Sequence, residues 1–151
     1  QDYHDKDFRK CSIKWIPFYQ PGWEWLFKKI PKAAKEVNDK YFKLNLTDPI
    51  TMESLQFTEY WPGGYYKMHT DWTGGSSYGN RKLSFSLNVT DPNNYKGGDL
   101  HVYPNRPGDE KFYRDRGWIT FFPSFVQHQA LDVIEGNRKV LIGWIAGPTF
   151  K

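Results

Sequence analysis

Cysteine is almost missing from this chain of 151 residues: Cys11 stands alone. One thiol excludes an intrachain disulfide, and it excludes a zinc site built from several thiolates; a reducing compartment is permitted. Long apolar runs are missing too. None approaches the roughly 20 residues that a membrane-spanning helix requires, and no signal-peptide pattern opens the sequence, so a cytoplasmic location and no membrane partner are expected. Clustered charge of one sign is also lacking. The 21 Lys and Arg against 17 Asp and Glu leave a net charge of +4, but the basic residues are scattered and no nucleic-acid motif accompanies them. They read as solvated surface, with no nucleic-acid partner. Repeats, linkers and low-complexity tracts are absent, so residues 1–151 are expected to form one domain, long enough to bury roughly 70% of its unfolded surface.

Aromatic residues are plentiful, at 19% of the chain. Cys11 to Phe18 alternates weakly and reads as an edge strand. After the Pro21-Gly22 turn, Trp23, Leu26, Phe27 and Ile30 fall on one helical face. Pro31 should end that helix or open the next at its first position, and Ala34, Val37 and Tyr41 keep helical spacing. One or two helices over about 21–43 are expected. Beyond them the texture changes to short runs of Phe, Tyr, Val, Ile and Leu between Gly, Pro and Asn clusters. The runs are 42–46, 52–60, 65–70, 82–88, 99–103, 118–122, 127–134 and 140–145. Such spacing suggests a sandwich or jelly roll over about 52–146, with the helices packed on one sheet.

Four histidines are available. His4 lies in a polar segment and is expected to be solvated. His69 and Asp71 sit at i and i+2 of a strand, so their side chains point to one face. Alone, such a pair is more often chance than site. His128, about sixty residues on, follows an apolar strand bracketed by Gly117 and Pro123. Two histidines and one carboxylate form the facial triad of non-haem Fe(II) oxygenases, which leaves three coordination positions open. Arg138 comes ten residues later, at the head of the apolar strand "KVLIGWI". A guanidinium there is expensive to bury without an anion, and its planar fork suits a carboxylate. Metal- or sugar-binding jelly rolls and zinc or manganese cupin-like enzymes share the fold pattern but need no such arginine. His101 competes for the ligand role; packing or the substrate rim suits it better.

The pieces "YWPGGYYKMHTD", "RKLSFSLNVT", "YKGGDLHVY" and "GWITFFPSFVQHQALDVIEGNRKVLIGW", in this order, resemble the Fe(II)- and 2-oxoglutarate-dependent dioxygenases. They resemble in particular the prolyl 4-hydroxylase branch with its bacterial and viral relatives. The resemblance runs from about Leu55 to Ile145 and more weakly back through "AAKEVNDKYFKLNL". It implies a mainly β, double-stranded β-helix (jelly-roll, cupin-like) fold. It implies His69, Asp71 and His128 as iron ligands and Arg138 as the partner of the distal carboxylate of 2-oxoglutarate. Tyr60 and Tyr66 match positions lining the cosubstrate pocket, and Trp144 matches a bulky residue near the metal. On the strand "KLSFSLN" some relatives place a Tyr against 2-oxoglutarate; this chain has Ser84, Phe85 and Ser86. The implied cofactors are Fe(II), 2-oxoglutarate as cosubstrate and O2, with ascorbate as a further candidate. The implied reaction hydroxylates a substrate and yields succinate and CO2. The expected substrate is a peptide or protein containing proline, with another amino-acid residue or a free small molecule as alternatives. Trp72 and Tyr78 in the loop Trp72–Asn80, with Arg81 and His101, are the candidate substrate residues. A monomer is expected.

Overall fold

In the computed structural model, the described residues are 8–74, 78–104 and 114–150, together with the backbone of 2–5. The expectation for His4 and the middle of the Trp72–Asn80 loop therefore lie outside them. Among the described residues there are eleven strands: β1 (Asp2–Asp5), β2 (Arg9–Ile16), β3 (Leu55–Tyr60), β4 (Tyr65–His69), β5 (Arg81–Asn88), β6 (Tyr95–Gly97), β7 (Leu100–Val102), β8 (Ile119–Pro123), β9 (His128–Ala130), β10 (Val133–Gly136) and β11 (Arg138–Ala146). Nine belong to one antiparallel sheet in the order β7-β9-β4-β2-β3-β11-β5-β8, with β1 on β2, while β10 pairs with β6. The sheet rolls into a nearly closed barrel, the double-stranded β-helix arrangement.

One helix, α1 (Glu24–Val37), covers the outer face, and a π-helical turn (Asn38–Phe42) continues it. The helix runs through Pro31 instead of stopping there. A mid-helix proline costs about 3 kcal/mol. Burial of Leu26, Phe27, Ile30 and Ala34 against Leu55, Leu83, Leu141 and Ile145 outweighs that cost. Residues 42–46 do not form the expected strand. The Asn38 side chain binds both the N–H and the carbonyl of Leu44 at 2.9 Å, Lys43 takes the left-handed conformation at φ 53°, and the chain is turned back before pairing can begin. The expected edge strand is an interior one: β2 pairs with β3 on one side and with β1 and β4 on the other. The run 127–134 divides into β9 and β10, which join different sheets.

Alternation decides what enters the barrel. On β3 the buried Gln56, Thr58 and Tyr60 share one face, and on β11 Arg138, Val140 and Trp144 do the same. The register sets Tyr60 directly opposite Arg138. A smaller inner core of Cys11, Ile13, Tyr60, Ala130, Val133 and Val140 closes that end.

Candidate metal centre and cosubstrate cavity

Strand β4 pairs with β9 so that His69 stands directly opposite His128. Their rings lie 4.2 Å apart, and Asp71 reaches both from just beyond β4. His69 Nε2 is 3.5 Å from Asp71 Oδ1, and His128 Nε2 is 3.4 Å from Asp71 Oδ2. One ligand atom from each of the three residues falls within 4.8 Å of the others. Each imidazole donates its Nδ1–H to a backbone carbonyl: His69 to Lys67 at 2.7 Å and His128 to Val126 at 3.0 Å. A carbonyl only accepts, so both rings hold their proton on Nδ1 and turn Nε2 toward the carboxylate, the tautomer a metal ligand needs. Burial opposes ionisation of Asp71. The close approach of His128 and His69 and the hydrogen bond from Ser84 outweigh it and hold the carboxyl well below the usual carboxylate range.

The sheet register is irregular between Tyr66 and His69. The local bulge lets residues three apart share a face, and the Tyr66 ring stacks on His69 at 3.6 Å between centroids. Phe8 meets both rings edge-on, and the Arg9 guanidinium lies 4.2 Å over the outer face of Tyr66. Strict alternation could not assign Tyr66 to the His69 side, and neither Phe8 nor Arg9 carries a motif.

The triad opens into a cavity of about 540 Å³ whose lining includes Arg138, Tyr60, Tyr66, Trp144, Tyr78 and Arg81. That size suits a small cosubstrate and an inserted side chain. Arg138 is 4% exposed, and among the described residues no carboxylate pairs with it. Gly98 makes room for it: the glycine has φ +67°, and a Cβ there would come within 3.2 Å of the arginine's Cδ. A buried guanidinium without an anion is a costly arrangement, and a carboxylate entering this end of the cavity would relieve it. The iron and 2-oxoglutarate that the triad and Arg138 imply therefore fit the residues present: His69, Asp71 and His128 would hold the metal, and Arg138 the distal carboxylate.

Tyr60 lies 5.6 Å from the Arg138 guanidinium at its ring centre. Burial pushes its hydroxyl up from 10.0 to about 12, leaving it a hydrogen-bond donor at any physiological pH. Because the folded state binds this proton more tightly than the unfolded one, its stabilising effect is present below pH 10 and is lost as pH rises toward about 12. Tyr60→Phe should therefore lose less stability than the native chain between those pH values, as read by denaturant unfolding at each.

The other candidates separate. Trp144 lines the cavity six residues along β11 from Arg138, about 20 Å at strand rise, and its buried indole N–H has no acceptor among the described residues. Arg81 binds both oxygens of Glu53 at 2.6 Å and is held between the rings of Tyr78 and Trp144, at 4.0 and 3.7 Å. It is a braced wall of the mouth, and Glu53, its anchor, had no sequence signal. Trp72 is directed elsewhere: its N–H donates to the Gly79 carbonyl at 3.0 Å and its ring packs on Phe150, so it braces the loop. His101 also lies away from the cavity. It pairs across β7 and β9 with Gln129, while Val102 pairs with His128, so alternation sends its ring to the outer face, where it contacts the Gln129 amide. On β5, Phe85 pairs with Gly143, and Ser84, not a tyrosine, reaches the site.

The family model of the 2OG-Fe(II) oxygenase superfamily matches residues 55–146. The chain belongs to this superfamily. Its curated relatives include a PKHD-type hydroxylase of Rippkaea orientalis, 33% identical over 125 residues, covering 81% of this chain and 55% of that protein. The chain spans about half the length of the curated relatives it matches. Among solved structures, a Pseudomonas putida prolyl-4-hydroxylase superposes with a TM-score of 0.73 at 21% identity, covering 97% of this chain and 77% of that one. A Trichoplax adhaerens prolyl hydroxylase in complex with a hypoxia inducible factor oxygen degradation domain peptide fragment gives 0.69 at 17%, covering 92% and 64%. At these identities the likeness establishes the fold. No helix among the described residues is long and apolar enough to cross a membrane.

Proposed function

We propose that this chain is an Fe(II)- and 2-oxoglutarate-dependent hydroxylase acting on a prolyl residue of a peptide or protein, with succinate and CO2 as coproducts. The observation that carries the reading is Arg138, a buried cation with no carboxylate partner among the described residues, in the same cavity as a His-Asp-His cluster. A passive metal site has no use for that arginine. When bound, the iron and cosubstrate supply the oxidation chemistry; the protein binds, orients and excludes water. Arg138 fixes the distal carboxylate, with the Tyr60 hydroxyl beside it. His69, Asp71 and His128, which line this cavity, would hold the metal there. Phe8 and Tyr66 pack against His69, and Phe122 against His128.

A peptide substrate is supported by the aromatic part of the cavity lining, where the exposed Trp15 and Tyr78 adjoin the buried Trp144 and Arg81. Aromatic grooves suit extended, proline-rich segments. The Trichoplax structure holds a peptide fragment, which fits the same reading. The test is a peptide array assayed with Fe(II), 2-oxoglutarate and air, read by mass spectrometry. Proline-containing peptides should gain about 16 Da, one oxygen atom, with one succinate formed per oxygen gained. Gain confined to lysine or arginine peptides would replace the prolyl assignment. Succinate without any gain across the array would remove the peptide as substrate.

A further inference from the structure

Asp71 is not held by the histidines alone. Ser84 Oγ donates to Asp71 Oδ2 at 2.7 Å, and Ser84 and Ser124 share a hydrogen bond of 2.9 Å between their hydroxyls. Both serines are 0% exposed, so no water competes for either hydroxyl. Ser124 does more than support Ser84. Its carbonyl accepts the N–H groups of Asp71 and Trp72, each at 3.0 Å, and its own N–H donates to the Lys82 carbonyl at 2.9 Å. Residue 124 opens the turn that leads to His128, so it joins the segment carrying His69 and Asp71 to the segment carrying His128.

We propose that Ser84 and Ser124 are positioning residues: their hydroxyl chain occupies Asp71 Oδ2, leaves Oδ1 as the single carboxylate ligand, and so keeps three coordination positions open. A carboxylate free at both oxygens can chelate a divalent ion and fill a fourth position. A short hydrogen bond from a buried hydroxyl ties one oxygen down and favours a single-oxygen ligand. The direction of the chain follows. Asp71 is ionised and only accepts, so Ser84 must donate to it, and Ser124 must donate to Ser84. The inference rests on the metal-centre reading above.

The test uses Mn(II), which needs no oxygen exclusion, as the probe. It measures affinity calorimetrically and counts exchangeable bound waters by water-proton relaxation. Ser84→Ala should weaken Mn(II) binding by about 10–100-fold, the usual effect of removing a hydrogen bond to a metal ligand, and should lower the number of bound waters. Ser124→Ala should do the same to a smaller degree, and the double variant should match Ser84→Ala, because Ser124 acts through Ser84. A role in packing alone would lower the unfolding temperature without moving the water count. Wild-type affinity and water count in Ser84→Ala would overturn the proposal. So would additive effects in the double variant. Mn(II) binding to the native chain that persists unchanged in Asp71→Ala would overturn the metal-centre reading itself, and the proposal with it.

Discussion

Replacing Arg138 with alanine is expected to weaken 2-oxoglutarate binding by about 2–5 kcal/mol, the range measured when one partner of a buried charged pair is removed. That is roughly 30-fold to several thousand-fold in Kd. Metal affinity should hold, because Arg138 lies on β11 and touches none of the three ligands. The geometry is specific about why. Arg138 sits opposite Tyr60 in the β3–β11 register, in a cavity wall where low dielectric strengthens its attraction for a carboxylate. No described acidic residue neutralises it. The same fact predicts a second result. In most proteins, deleting a buried arginine destabilises the fold by orphaning its partner. If 2-oxoglutarate is that partner, as proposed, the Arg138→Ala protein without cosubstrate should unfold at about the native temperature. Only the native protein should gain stability on adding 2-oxoglutarate. Titration calorimetry on Mn(II)-loaded protein and thermal unfolding check the two halves. An unchanged Kd would remove Arg138 from the cosubstrate site.

Asp71→Ala is expected to remove metal binding at least about 100-fold, beyond the upper end of what losing a supporting hydrogen bond costs. Turnover of 2-oxoglutarate should fall with it to background. Asp71 is the geometric centre of the cluster, with one oxygen toward each histidine. Among the described residues it is the only anion of the cluster, so its loss leaves two imidazoles and the Ser84 hydroxyl there. His69→Ala should be milder in affinity but equally inactive, since Tyr66 stacks on that ring and would be left without its neighbour. Calorimetry with Mn(II) and a succinate assay separate the two effects.

These residues differ in how plainly the sequence announces them. His69 and Asp71 are two apart, and a strand turns such a pair to one face whatever surrounds it. Arg138 was conspicuous because a charge heads an apolar strand. Period-two alternation likewise located most of the strands. What the sequence could not announce depends on pairing between distant segments. Tyr66 joins His69 only because the register slips against β9. His101 turns outward because Val102, not His101, stands opposite His128. Ser84 and Ser124 are forty residues apart, and as isolated serines they carry no signal until the barrel closes. Glu53 stands just before β3 and Arg81 opens β5, so Arg81 reads as any surface arginine until the fold brings the two together. Helix α1 shows the same limit from the other side: local proline chemistry predicted a break at Pro31, and burial of one apolar face overrode it.

One cavity is expected to bind Fe(II) and 2-oxoglutarate together, through the triad and Arg138. The most direct measurement is an anaerobic titration of the Fe(II)-loaded protein with 2-oxoglutarate, followed in the visible range and then opened to air with succinate assayed. A weak charge-transfer band should grow with 2-oxoglutarate, be absent in Asp71→Ala and require a much higher concentration in Arg138→Ala, with succinate formed once O2 is admitted. No band under saturating Fe(II) and 2-oxoglutarate, and no succinate under air, would contradict it.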